Sequence, residues 1–174
     1  AKLANSFDGY FDADVPPYKL STEAGEPYAM YVTGTQMAEV EVDTATGAIK
    51  VLRVVAAHDV GRAINPALVR GQIEGGVTQG LGYALTEEMT MVDGHVVADN
   101  LLDYKIFTAL DAPPIESIIV ETDDPSGPYG AKGVGEPSLV PVAAAVANAI
   151  YDAVGVRITT LPITAQKVLE ALRK

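Results

Sequence analysis

Gly130-Ala-Lys-Gly-Val-Gly-Glu-Pro-Ser138 is the stretch from which the chain is best read. Three of its glycines, Gly130, Gly133 and Gly135, fall within six residues, with Lys132 among them, and Glu136, Pro137 and a long apolar run follow. Glycine admits positive φ and lets a backbone approach a ligand closely. Proline suits the first turn of a helix, where its missing N–H costs nothing. The segment therefore predicts a Gly-rich loop feeding a helix N-terminus, with a carboxylate at the junction. Free N–H groups at such a helix start favour anions. Glutamate is not a preferred N-cap. The plain alternative for Glu136 is a first-turn carboxylate stabilised by the helix dipole. Nucleotide loops fail on spacing. A P-loop needs Ser or Thr after its lysine, where Gly133 stands, and Ser138 occupies the third glycine position of a dinucleotide fingerprint.

Upstream, a second Gly-rich segment runs from Ala57 to Met89. It contains Ala-His-Asp-Val-Gly-Arg-Ala-Ile-Asn-Pro, Gly-Gln-Ile-Glu-Gly-Gly and Gln-Gly-Leu-Gly-Tyr. Asn65-Pro66 signals a helix start, and a helix is expected from about Pro66 to Met89. Gly71, Gly75, Gly76, Gly80 and Gly82 lie within it. Each costs about 1 kcal/mol relative to alanine, so close packing or close approach to a ligand is required. Gly71, Gly75 and Gly82 share one face, and Gln72 and Gln79 another. His58-Asp59 is expected to leave the preceding strand. Adjacent strand residues point to opposite faces, so the pair cannot form a relay there, and His58 reads as structural.

These two motifs, in this order, resemble those of the molybdenum hydroxylases, the xanthine dehydrogenase and aldehyde oxidoreductase family. The resemblance covers nearly the whole chain but only the C-terminal part of the family's molybdenum-binding subunit. It implies hydroxylation of a heterocyclic (purine-like) or aldehyde carbon with water as the oxygen source. It implies a molybdenum–molybdopterin cofactor, in bacteria often the cytosine dinucleotide form. The pterin holds the metal, so no metal-ligating side chain is assigned. Iron–sulfur clusters of the 2Fe–2S type and FAD are expected on other subunits or domains, which together with the rest of the molybdenum subunit are the expected partners. By the same resemblance Glu136 is the general base, Gln72 lies close to molybdenum and pterin, and Ala131, Lys132, Gly133, Val134 and Gly135 line the cofactor. Lys132 is either a charge partner or an exposed lysine. The rival to a catalytic half-subunit is a non-catalytic assembly or cofactor-binding module.

Composition agrees with a folded domain. The 174 residues are 48% hydrophobic, enough for a sizeable core. The net charge of −11, from 23 acidic and 12 basic residues, disfavours nucleic acid and anionic membranes as partners. There is no cysteine, so this segment carries no iron–sulfur cluster, zinc–thiolate site or disulfide. No apolar run reaches the length of a membrane span, and a cytoplasmic location is the expectation.

The fold class expected is α+β: a mixed sheet with β-hairpins and packed helices. Residues 1–27 read as an extended N-terminal arm and 28–174 as the cofactor-domain portion. Tyr28 to Ala57 predicts a hairpin, because Val40 and Val42 alternate with Glu39, Glu41 and Asp43 before a turn at Asp43–Gly47. Asp93-Gly94 predicts a second hairpin. Ile115–Glu121 and Val156–Leu161 read as strands, and Val140–Val154 as a buried helix ended by Gly155. Thr164–Leu172 reads as a last helix capped by Thr164.

Overall fold

The computed structural model describes residues 30–125 and 127–173; the arm expected over 1–27 lies outside them. The first hairpin forms as the alternation requires. Strand β1 (Gly34–Val42) pairs antiparallel with β2 (Ile49–Asp59). The connection is held by Asp43, whose Oδ1 accepts from the N–H of Ala45 at 2.8 Å and of Thr46 at 3.2 Å, an Asx turn. Gly47 completes it at φ 75°.

Helix α1 (Pro66–Leu85) follows, capped by Asn65 Oδ1, which accepts from Leu68 N at 3.2 Å. It stops four residues short of Met89. Thr86 leaves helical geometry, and its hydroxyl donates to the Lys105 carbonyl at 2.7 Å. Strands β3 (Met91–Val92) and β4 (His95–Val96) form the small second hairpin. Its turn residues Asp93 and Gly94 both take positive φ, as a type I′ connection demands. Strand β5 (Ile115–Val120) then pairs parallel with the far edge of β2, giving the order β1-β2-β5. A parallel neighbour needs a crossover, and α1 supplies it. The sheet is thus mixed, as the α+β expectation has it.

Helix α2 (Val142–Val154) ends at Gly155 with φ 73°. Helix α3 (Ala165–Leu172) is capped by the Thr164 hydroxyl, which accepts from Lys167 N at 3.3 Å. Helices α1 and α2 lie side by side, α1 against β2 and β5 and α2 against β1. Val54 and Ala56 of β2, Ile73, Val77 and Leu81 of α1, and Val146 and Ile150 of α2 form the core with Ile163 and Val168. Every one of these is apolar and at most 2% exposed, so their burial drives the assembly of the two layers.

Three expectations are corrected. His58 and Asp59 do not leave the sheet: His58 pairs with Gly34 in β1 and Asp59 with Val120 in β5. Val156–Leu161 is not a strand. β-branched residues favour extended backbone, but a strand needs a ladder partner, and this segment is held by side chains instead. Arg157 donates to Asn148 Oδ1 at 2.6 Å and stacks over the Tyr151 ring. Finally, the helix after the glycine loop begins at Val142, two residues beyond the expected Val140, so Pro137 is not in its first turn. Residues 137–141 are turns. Pro141 disfavours helical angles at Val140, so the helix starts beyond it.

Candidate functional site

The two Gly-rich segments meet at the C-terminal end of β2. Gly130 O accepts from Arg62 N at 2.7 Å, Lys132 N donates to Val60 O at 2.9 Å, and Gly61 forms a β-bridge with Ala131. Gly61 sits at φ 63°, and a Cβ there would lie 2.7 Å from Lys132 N, so close approach and positive φ both demand glycine. The loop then crosses to α1. Ser138 Oγ donates to the Gln72 carbonyl at 3.4 Å. Ile73 of α1, His58 of β2 and Gly133, Val134, Pro137 and Ser138 of the loop surround one small hollow.

The predicted residues divide by environment. Gln72, Gly133, Gly135 and Glu136 are exposed, while Ala131, Lys132 and Val134 are partly buried. Among the described residues, neither the Gln72 amide nor the Glu136 carboxylate has a hydrogen-bond partner. The N–H groups of Gly133, Val134, Gly135 and Glu136 likewise have no protein acceptor there. Glu136 is six residues before Val142, where α2 begins. A helix dipole acts over its first turn, so dipole stabilisation does not explain this carboxylate. A wider groove lies elsewhere among the described residues, between Ile49–Leu52 and Phe107–Pro114, and none of the predicted residues lines it.

Lys132 is not exposed. Its ammonium lies 2.6 Å from Asp59 Oδ2, with the side chains 12% and 7% exposed, and it also donates to the Tyr31 carbonyl at 3.1 Å. Thr122 Oγ1 donates to the same Asp59 oxygen at 2.7 Å, and Gly61 N to Asp59 Oδ1 at 2.9 Å. Burial pushes the Asp59 carboxyl up, but the hydrogen bonds from Lys132, Thr122 and Gly61, with the ammonium's charge, outweigh it and hold the group at about 2. An unfolded aspartate titrates at about 3.9. The folded value is the lower one, so the ionised carboxylate stabilises the fold above about pH 4, and that contribution is lost as pH falls towards 2. Melting temperature measured from pH 5 to pH 2 is therefore expected to fall less steeply for Asp59→Asn than for the unaltered protein. Equal slopes would show that Asp59 is not the group responsible.

The opposite face of β2 carries the other half of the pair. His58 is 3% exposed, and burial lowers its pKa. The Gln36 amide nitrogen lies 2.9 Å from His58 Nε2 and donates to the Ser138 carbonyl at 2.6 Å. As Gln36 donates, His58 Nε2 accepts, which keeps the ring neutral. His58 and Asp59 thus form no relay. Gln36, Thr122 and Ser138 were invisible as site residues in the sequence, and Asp59 was noticed only as a neighbour of His58 with which it could form no relay.

The expected glycine face is also revised. A Cβ at Gly80 would lie 2.6 Å from Val142 Cβ, and one at Gly76 would run into Ser138. These two, four residues apart, make the tight contact with the loop and α2. Gly82 is backed by Glu87, while Gly71 and Gly75 have no heavy atom within 4 Å of a built Cβ. Gly133 and Gly135 are equally open. The open glycines of both segments leave space beside them, and the free N–H groups of the loop are suited to anionic oxygens.

The model of the molybdopterin cofactor-binding domain matches residues 2–113, well over half of the chain. The chain belongs to this family. The glycine loop lies beyond that match, but similarity to whole proteins extends further. The chain is 43% identical over 139 residues to the putative xanthine dehydrogenase molybdenum-binding subunit of Escherichia coli strain K12, covering 79% of this chain and 18% of that one. It is 40% identical over 158 residues to the aldehyde oxidoreductase molybdenum-binding subunit of the same strain, covering 89% and 20%. Among solved structures, the aldehyde oxidoreductase of Desulfovibrio gigas superposes with a TM-score of 0.79 at 38% identity, covering 90% of this chain and 17% of that one. The relationship is thus to molybdenum hydroxylases of the xanthine dehydrogenase and aldehyde oxidoreductase type. This molybdopterin-binding segment spans about a fifth of the length of the curated relatives it matches. No helix among its described residues is long and apolar enough to cross a membrane.

Proposed function

We propose that this chain is part of a molybdenum-dependent hydroxylase that oxidises a heterocyclic or aldehyde carbon with water, with Glu136 as general base. The observation that carries this reading is the meeting of two motif segments at one end of the fold. There Gln72 and Glu136 are exposed and carry no partner among the described residues. The names of the relatives, xanthine dehydrogenase and aldehyde oxidoreductase, support the two substrate classes.

When bound, the molybdenum–pterin group supplies the redox chemistry. The chain's own residues supply position and proton handling. The N–H groups of Gly133 to Glu136 suit pterin or phosphate oxygens. The Gln72 amide donates to oxygen without adding charge. Glu136 takes, at a carboxylate oxygen, the proton released as the oxygen nucleophile attacks, directly or through one water. Lys132 anchors the loop rather than donating to the cofactor, because its ammonium is engaged by Asp59 and its N–H by Val60 O. The remaining part of the molybdenum subunit completes the pocket, and iron–sulfur and flavin partners carry the electrons away.

Metal and pterin analysis of the purified natural protein containing this chain tests the proposal. Molybdenum and pterin are expected in equal amounts, and acid hydrolysis releasing cytidine monophosphate would identify the dinucleotide form. A protein free of pterin after expression with an intact cofactor supply would overturn the reading.

A further inference from the structure

We propose that the C-terminal end of β2 is a two-sided clamp that positions Glu136, with Asp59, Lys132, Gln36 and His58 as positioning residues; the inference rests on the base reading of Glu136. Successive strand side chains point to opposite faces. One end of one strand can therefore hold two anchors. On one face Asp59 binds Lys132 at 2.6 Å, four residues before Glu136. On the other, His58 accepts from the Gln36 amide, which also donates to the carbonyl of Ser138 at 2.6 Å, two residues after Glu136. His58, Asp59 and Ser138 are 3%, 6% and 2% exposed, so water competes little for either anchor.

Residues 133–137 span the gap between the anchors. Gly133 and Gly135 have no heavy atom within 4 Å of a built Cβ, and the four N–H groups from 133 to 136 have no acceptor among the described residues. Only Val134 and Pro137 of this span are partly buried, beside Ile73 and His58. Its ends are held by the two anchors, with Lys132 N donating to Val60 O at 2.9 Å and Leu139 N to Glu136 O at 3.0 Å. None of the four clamp side chains is bonded to Glu136. They act through the backbone on which it is carried.

The test uses the natural protein containing this chain, with the double variant Asp59→Asn, Lys132→Met. Removing both charges together avoids leaving one buried and unpaired, which is the more damaging change. The amide oxygen introduced by Asp59→Asn can still accept from Gly61 N. Hydrogen exchange of the Lys132 and Leu139 amides, which donate to Val60 O and Glu136 O at the two ends of the span, is read beside kcat, KM and melting temperature. The expected result is faster exchange at these two amides, kcat lower by about 100-fold, KM little changed and melting temperature close to that of the unaltered protein. If the double variant does not fold, Gln36→Leu releases the Ser138 anchor and is read in the same way. Unchanged exchange overturns the clamp, and so does faster exchange with normal kcat. Glu136→Gln is run in parallel. Normal turnover there refutes the base reading, while the exchange measurement still decides whether the clamp holds the loop.

Discussion

Glu136→Gln is expected to lower turnover by about 10²–10⁴-fold while leaving metal content and melting temperature close to those of the unaltered protein. The size of the effect, about 10²–10⁴-fold, is that of losing a general base. Glutamine keeps the shape and removes the basic oxygen. Stability is expected to hold because the side chain is exposed and without a partner among the described residues. Surface changes of this kind shift stability by about 0.5 kcal/mol or less. The helix dipole adds nothing to that, since α2 begins six residues later at Val142. Turnover of the natural protein, its molybdenum content and its melting temperature are measured together. Near-normal turnover at full metal occupancy would refute the base assignment. Lost metal together with lost stability would make Glu136 a structural residue.

The second large effect separates two neighbouring glycines. Gly75→Val is expected to lower molybdenum content without lowering stability. The position is open on the protein side, and valine is no worse than glycine in a helix interior. Any loss then reports what lies across the open face when the cofactor is present. Gly76→Val is expected to lower both. Its side chain would run into Ser138, with Leu139 N only 3.3 Å from a built Cβ, and overpacking of this kind costs about 1–3 kcal/mol. The displaced segment also carries Glu136. Gln72→Ala should act more mildly than either, because it removes an amide and blocks nothing. Metal analysis and thermal melts of the three variants check the ranking. Full occupancy in Gly75→Val would move the cofactor away from α1.

The local elements were legible because they are written in nearby residues. Alternating Val40 and Val42, with the Asp43 turn and Gly47, specify the first hairpin. Asp93-Gly94 specifies the second. Asn65-Pro66, Thr164 and Gly155 mark helix ends through their own dihedral and hydrogen-bonding preferences. The two glycine-rich segments were legible as runs whose conformational cost calls for a ligand or a close neighbour, while the roles expected of Gln72 and Glu136 came only from the family resemblance.

Long-range choices were not written locally. Nothing in Ile115–Val120 says that it pairs parallel with β2, on the far side of α1 in the chain. Five glycines in α1 announce close packing, but only the crossing with residues 138–142 selects Gly76 and Gly80 and leaves Gly71 and Gly75 open. Val156–Leu161 has strand composition and no partner edge, so composition misled. Lys132 offered two local readings, a charge partner for a bound group or an exposed lysine, and the structure shows a third: its ammonium is engaged by a carboxylate 73 residues away. Local sequence determines what a backbone segment prefers, since dihedral and capping energies depend on neighbours a few residues apart. Partners across the fold are chosen by the packing that buries the most apolar surface and leaves the fewest buried polar groups unpaired, and that depends on the whole chain at once.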